Sequence, residues 1–203
     1  MANVNRPQGA VPVGTLGAGA WNGRVSAYLV PSADSTAVHI GDLVKLSGTS
    51  GAAGVTVNGQ DCEGMATVIK ATAGDITVVG AVVGFSPNQD NLNVGGLYRA
   101  ASTNRIAYVS DDPRTIYEMQ EDSVGNNMDK DMVGLSTDII TGTGDNATAL
   151  SGQMLDSSDT ATAGGQMRIM GLSKRPDNSI GEFAKWLVMI NTGEGAHNTT
   201  TDI

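Results

Sequence analysis

The chain is poor in the residues that carry most protein chemistry. Its 203 residues include two histidines, His39 and His197, and one cysteine, Cys62. A single cysteine excludes an intrachain disulfide, so oxidative cross-linking does not hold this fold. With no histidine near it in sequence, Cys62 reads as a small buried apolar residue. Two histidines and one cysteine are also too few for a tetrahedral zinc site. A hydrolytic relay needs a nucleophile, a base and a group that orients the base. His197 falls in a polar terminus, and His39, between Val38 and Ile40, has a structural or surface setting. The elbow pattern G-x-S-x-G is missing.

Basic charge is scarce as well. Twelve Lys and Arg stand against 21 Asp and Glu, a formal charge of −9. The basic residues do not cluster, so a nucleic-acid backbone finds no positive track. Such a surface suits a partner with basic patches. Uninterrupted apolar runs of bilayer-spanning length are missing too, which argues against a membrane partner. The start, MANVNRPQGAVPVGTLGAGA, has one basic residue, Arg6, and is broken by Pro12, Gly14 and Gly17. It lacks the continuous apolar core of a secretory signal, so a soluble, unprocessed protein is expected.

Aromatics make up only 4 % of the chain, and Leu/Ala/Glu/Lys-rich stretches with a helical period are missing. Glycine supplies 27 residues. These features predict an all-β fold, a compact β-barrel or β-sandwich of about ten strands. Residues 1–20 carry apolar side chains without a period, which predicts an extended N-terminal arm. Val11, Val13 and Leu16 would be its contact residues on a neighbouring subunit. Deleting such an arm is expected to leave the rest folded. Residues 21–191 form the β domain, with a possible subdomain split near 111–113, and residues 192–203 form a polar, mobile tail.

Within the β domain, Arg24–Val30 reads as a strand with Val25, Ala27 and Leu29 on one face. Met65–Ala71 and Ile76–Phe85 read as a hairpin, with Gly80 and Gly84 marking bulges. Leu97–Ala101 and Arg105–Ser110 read as a second hairpin, after a loop at Ser86–Gly96. Three apolar runs, Ile116–Met119, Met167–Leu172 and Trp186–Ile190, stand between polar, turn-forming segments. The last is apolar throughout, as in a central strand with Trp186 buried.

Patterns with chemical potential are weak. The glycine sets at Gly14, Gly17 and Gly19 and at Gly142 and Gly144 do not link a strand to a helix, as a phosphate loop would. Asp145, Asp156 and Asp159 could offer oxygens to calcium, but without EF-hand spacing they read as solvated turns. Asp111–Asp112 and Glu121–Asp122 read as exposed-turn carboxylates. No cofactor is implied, and no enzyme.

The order YEMQED, VGLSTDI, GTGDNATALSG and RPDNSIG-x-x-AKWLVMIN, from Tyr117 to Asn191, resembles a family of tailed-bacteriophage head proteins. These are decoration or cement proteins of the virion, and RPDNSIG-x-x-AKWLVMIN is the most specific part. The resemblance implies a structural role on the outer surface of the capsid. Its partners would be the major capsid protein and further copies of the chain, as a homodimer or homotrimer. It also favours a strand over a short helix after Ser179, where Ser179 and Glu182 form a capping-box-like pair. A head-fibre or tail adhesin-type module that binds the host is the alternative, and it would need an exposed aromatic platform.

Overall fold

The computed structural model describes residues 3–17, 19–87, 97–161 and 164–191. It is nearly all strand. In chain order these are β1 (Val11–Thr15), β2 (Gly19–Ala20), β3 (Ser26–Val30), β4 (Leu43–Ser50), β5 (Thr56–Val57), β6 (Gln60–Asp61), β7 (Ala66–Lys70) and β8 (Val78–Phe85). Next come β9 (Arg105–Ser110), β10 (Thr115–Gln120), β11 (Ser136–Thr137), β12 (Ile139–Ile140), β13 (Met154–Leu155), β14 (Met167–Leu172) and β15 (Lys185–Ile190). One 3₁₀ turn, Lys130–Met132, lies between β10 and β11.

Strands β3-β7-β4-β8-β9 close into a barrel. Strands β11-β14-β15-β10-β1-β2 form an open six-stranded sheet. The chain passes from the barrel to the sheet across Asp111–Arg114, where Pro113 stops the ladder. The two bodies share a core. On β4 and β8, Val44, Val79 and Val82 point into the barrel, while Leu43, Val78 and Ala81 pack with Tyr117, Met119, Ile169, Trp186 and Val188 of the sheet. Strands buried on both faces read as continuous apolar runs, and LVKL and VVGAVV do so.

The apolar run at the C-terminal end builds β15, which lies between β14 and β10. Trp186 is fully buried and Leu187 faces Glu118 across the ladder. The glycines of β8 sit where the ladder shifts register against β4 and β9. A Cβ on Gly80 would fall 2.0 Å from the Ser110 carbonyl oxygen, so only glycine lets β8 approach β9 there.

Several sequence expectations are corrected. Residues 1–20 are not a free arm. β1 pairs with β10 over Val11–Thr15, and Ala10, fully packed, donates its N–H to the Gly41 carbonyl at 2.8 Å. The alternation of glycine and proline hid a strand whose ladder is completed by distant residues. Ahead of β1, Asn3 is fastened to the 179–182 turn. Its Nδ2 donates to the carbonyls of Ser179 (2.8 Å) and Glu182 (2.9 Å), and its Oδ1 accepts from Ser179 N–H (3.0 Å).

On β3 the inward residues are Tyr28 and Val30, while Val25 is 37 % exposed and Ala27 faces solvent. Leu29 lies outside the barrel in a small cluster with Val57, Cys62 and Ile106. β7 and β8 do not form a hairpin, because β4 lies between them and pairs antiparallel with both. Leu97–Ala101 is not a strand. Arg99 makes one bridge to Val38 and turns its fully buried side chain inward. Its guanidinium donates to the carbonyls of Thr103 (2.8 Å), Thr36 (2.5 Å), Pro31 (2.5 Å) and Asp34 (2.8 Å). The expected polar tail and most of the Ser86–Gly96 loop lie outside the described residues.

Two outcomes follow from this packing. Trp186→Ala is expected to cost about 3–5 kcal/mol, measured by denaturant unfolding, because the site lies between two packed bodies. Deleting residues 1–20 is expected to lower the unfolding midpoint clearly, because β10 loses a ladder partner. An unchanged midpoint in the truncated chain would show that β1 adds nothing to the sheet.

Candidate functional site

The expected contact residues lie together on β1 and just after it. Val13 is 40 % exposed, Leu16 is 49 % exposed, and Val11 is half-buried. They sit toward the edge of the sheet, where only the two-residue β2 follows. Leu16 N–H donates to the Arg114 carbonyl (2.9 Å), and Trp21 N–H to the Val13 carbonyl (3.3 Å). The apolar side chains are therefore displayed by an anchored strand rather than by a loose one.

The strongest polar cluster is buried where the N-terminal strand, the barrel and the 142–151 segment meet. Asp42 is fully buried at the turn into β4. Its Oδ1 lies 3.1 Å from Lys70 Nζ and accepts the Ser151 hydroxyl at 2.5 Å. Its Oδ2 accepts the His39 backbone N–H at 2.7 Å and lies 3.8 Å from His39 Nδ1. Lys70 also donates to the Gly142 carbonyl (3.3 Å). Burial alone pushes the Asp42 carboxyl up. The His39 contacts, the Lys70 charge and the Ser151 hydroxyl outweigh it and hold the group below the usual carboxylate value. Contact with Asp42 raises His39, against the opposing effect of burial.

This set contains Ser, His and Asp, but not in the order acyl transfer needs. The Ser151 hydroxyl donates to Asp42 and not to His39. His39 Nε2 is paired with Asn146 Oδ1 at 2.9 Å, and the ring stacks on Tyr98 with centroids 4.9 Å apart. A nucleophile bonded to the orienting acid, and buried with it, has no base to take its proton. The cluster is a structural lock. The Gly142–Gly144 pattern belongs to it. A Cβ on Gly144 would fall 2.3 Å from His39 Nδ1, so that glycine serves close packing rather than a phosphate.

The carboxylates divide differently from the sequence expectation. Glu121 is fully buried and Asp122 nearly so, which corrects their reading as exposed-turn residues. Glu121 Oε2 accepts the Met128 N–H (2.6 Å), and Asp122 Oδ1 accepts the Ser157 N–H (3.0 Å) and hydroxyl (2.7 Å). They pin the 122–128 segment to the sheet and to the segment after β13. Burial pushes the Glu121 carboxyl up to about 7, only partly relieved by the Met128 N–H. Asp145 and Asp156 fold back on their own turns, accepting from Ala147 N–H and Thr148 hydroxyl, and from Ser158. Among the described residues, no group of three or more metal-ligating side chains gathers. Cys62 is fully buried. With Trp186 also in the core, it cannot contribute to an exposed aromatic platform.

No protein-family model matches the chain, and neither a curated protein nor a solved structure does.

The raised Glu121 gives stability a definite sign with pH. The folded carboxyl keeps its proton to about pH 7, while the unfolded one loses it near 4.5. Its contribution is therefore full below the unfolded value and is lost as pH rises through about 7. Thermal melts from pH 5 to 8 should show a decline that Glu121→Gln reduces. Equal slopes in both proteins would contradict it. At the Asp42 cluster, Lys70→Met leaves an uncompensated buried carboxylate and is expected to cost about 3–5 kcal/mol. Asp42→Asn with Lys70→Met should recover part of that loss, as read by urea unfolding.

Proposed function

We propose that this chain is a structural virion protein. It would be a decoration or cement protein that binds the outer surface of the major capsid protein lattice of a tailed-phage head and stabilises it. The observation that carries the reading is where the resembling residues fall. Tyr117, Met119, Trp186 and Val188 sit on β10 and β15 and build the central core, and RPDNSIG forms the turn that leads into β15. The likeness thus concerns the organising part of the fold rather than a surface decoration of it. Val13 and Leu16, displayed at the edge of the same sheet, supply an apolar contact surface for a capsid subunit or a second copy. A protein that binds the assembled lattice and not its disassembled subunits stabilises the lattice by mass action, by about 2.7 kcal/mol per site at a hundredfold excess over Kd.

Phage heads assembled without this chain provide the test. Purified protein added back should co-sediment with them and raise the temperature at which they release DNA. Val13→Asp with Leu16→Asp should weaken binding by about tenfold or more, equivalent to about 1.4 kcal/mol, with the unfolding midpoint unchanged. Protein that stays in the supernatant at all concentrations would rule the proposal out.

A further inference from the structure

The segment before β1 and the turn before β15 enclose a cavity of about 340 Å³, the size of a small-ligand cleft. Its walls are held in place. Asn3 is bonded to the turn as described, Arg6 N–H donates to Gln120 Oε1 (2.8 Å), and Gln120 Nε2 donates to Asn5 Oδ1 (2.8 Å). Phe183 on the opposite wall has φ +57°, a conformation that an aromatic residue adopts rarely and only under constraint. The Ser123 hydroxyl oxygen, accepting the Phe183 N–H at 2.5 Å, is the constraint.

The lining is basic in a strongly acidic chain. Arg6, Arg175 and Lys185 face the cavity together with the single carboxylate of Asp177. Arg175 is already balanced. Its Nε and Nη2 donate to Asp177 (3.0 and 3.2 Å), and its Nη1 donates to Glu118 (3.1 Å). Among the described residues, Arg6 and Lys185 form no ion pair, although the Asp177 carboxylate, held down first by Arg175, also feels the Lys185 charge, so the three cations of the lining exceed its one carboxylate. Val4, 61 % exposed, and Phe183 add apolar surface to the same lining.

We infer that this cavity is a binding site for an acidic peptide segment of a partner, taking a carboxylate at Arg6 and Lys185 and an adjacent apolar side chain against Val4 and Phe183. Arg and Lys side chains bind phosphate and carboxylate alike, so the cations alone do not choose between them. The apolar surface of Val4 and Phe183 in the same lining suits a carboxylate on a carbon skeleton better than a bare phosphate. The inference does not depend on the partner being a capsid, because it rests only on the chemistry of the cavity.

The probes are acetyl-Glu-Leu-Glu-amide, its neutral counterpart acetyl-Gln-Leu-Gln-amide, and inorganic phosphate, each titrated into the full chain and followed by NMR. The acidic peptide should saturate, shifting the amide signals of residues 3–8 and 175–185. The neutral peptide should bind about tenfold more weakly or worse, a difference of about 1.4 kcal/mol. Raised salt should weaken the acidic peptide. Arg6→Gln with Lys185→Met should reduce binding by a similar factor. Arg6→Gln alone changes only an exposed residue and keeps the test valid if the double variant fails to fold. Equal binding of the two peptides, saturation by phosphate at lower concentration than the acidic peptide, or no shifts in these segments would each overturn the inference.

Discussion

The buried pairing of Asp42 with Lys70 is the constraint on which the rest of the molecule depends. It joins the start of β4 to the end of β7 inside the barrel wall, and through Ser151 and the Gly142 carbonyl it reaches the segment that leads to the sheet. Two charges taken out of water cost several kcal/mol each, and attraction alone rarely returns that cost. Here Asp42 is met by the His39 N–H and the Ser151 hydroxyl, and Lys70 by a backbone carbonyl, while the buried His39 Nδ1 has no hydrogen-bond partner. Such a cluster contributes mainly by allowing a single arrangement. With one partner removed, the other would be stranded.

Around this point the backbones come unusually close. Ala10 bonds to Gly41, Gly41 to Val82, Ile40 to Ala149 and Ser151 to Ile40, so four distant stretches meet within one hydrogen-bonded knot. A Cβ on Gly9 would fall 2.1 Å from the Gly41 carbonyl oxygen, and one on Gly142 would fall 1.7 Å from that of Gly152. Glycine thus serves close backbone contact here, while elsewhere, as at Gly54, Gly59 and Gly64, it serves turns with positive φ and open space around them. Large side chains gather where the barrel meets the sheet, at Trp186, Tyr117, Met119 and Met167.

What was legible in the sequence follows from this. Class and central strands were legible because β8, β10, β14 and β15 carry their signal locally, as apolar runs bounded by turn residues. The bulging glycines of β8 were legible for the same reason. Pairing was not. The seven residues between β7 and β8 look like a hairpin loop, but the partner of both strands is β4, which precedes them in the chain. β1 was missed because its partner is a hundred residues away and Pro12 and Gly14 disguise its period. The buried roles of Arg99 and Glu121 were also beyond reach. An isolated charged residue gives no local sign that carbonyls or amides from elsewhere will surround it. Of the sites, Val13 and Leu16 were visible as unexplained apolar residues, whereas the cavity joins residues 3–8 to 175–185 and has no sequence signature.

The residues that carry the resemblance do two kinds of work, and the fold separates them. In AKWLVMIN, Trp186 and Val188 face the shared core and could not be changed without loss of packing. In RPDNSIG, Asn178 fixes the turn, with its Nδ2 donating to the Ser173 and Lys185 carbonyls and its Oδ1 accepting the Lys185 N–H. Arg175 is held by Glu118 and Asp177, and Ser179 receives the N-terminal segment. The turn thus does what a loop between two strands does not require: it captures the chain's own N-terminal segment and closes a basic cavity with it. A loop needed only to connect β14 to β15 would not need a constrained aromatic, an ion-paired arginine and a fully committed asparagine in so short a span. That concentration of fixed groups beside Arg6 and Lys185, two cations that form no ion pair among the described residues, separates this end of the molecule from the apolar edge at Val13 and Leu16. The molecule therefore presents two chemically different surfaces, an apolar one at the edge of the sheet and a basic one between the N-terminal segment and the turn before β15.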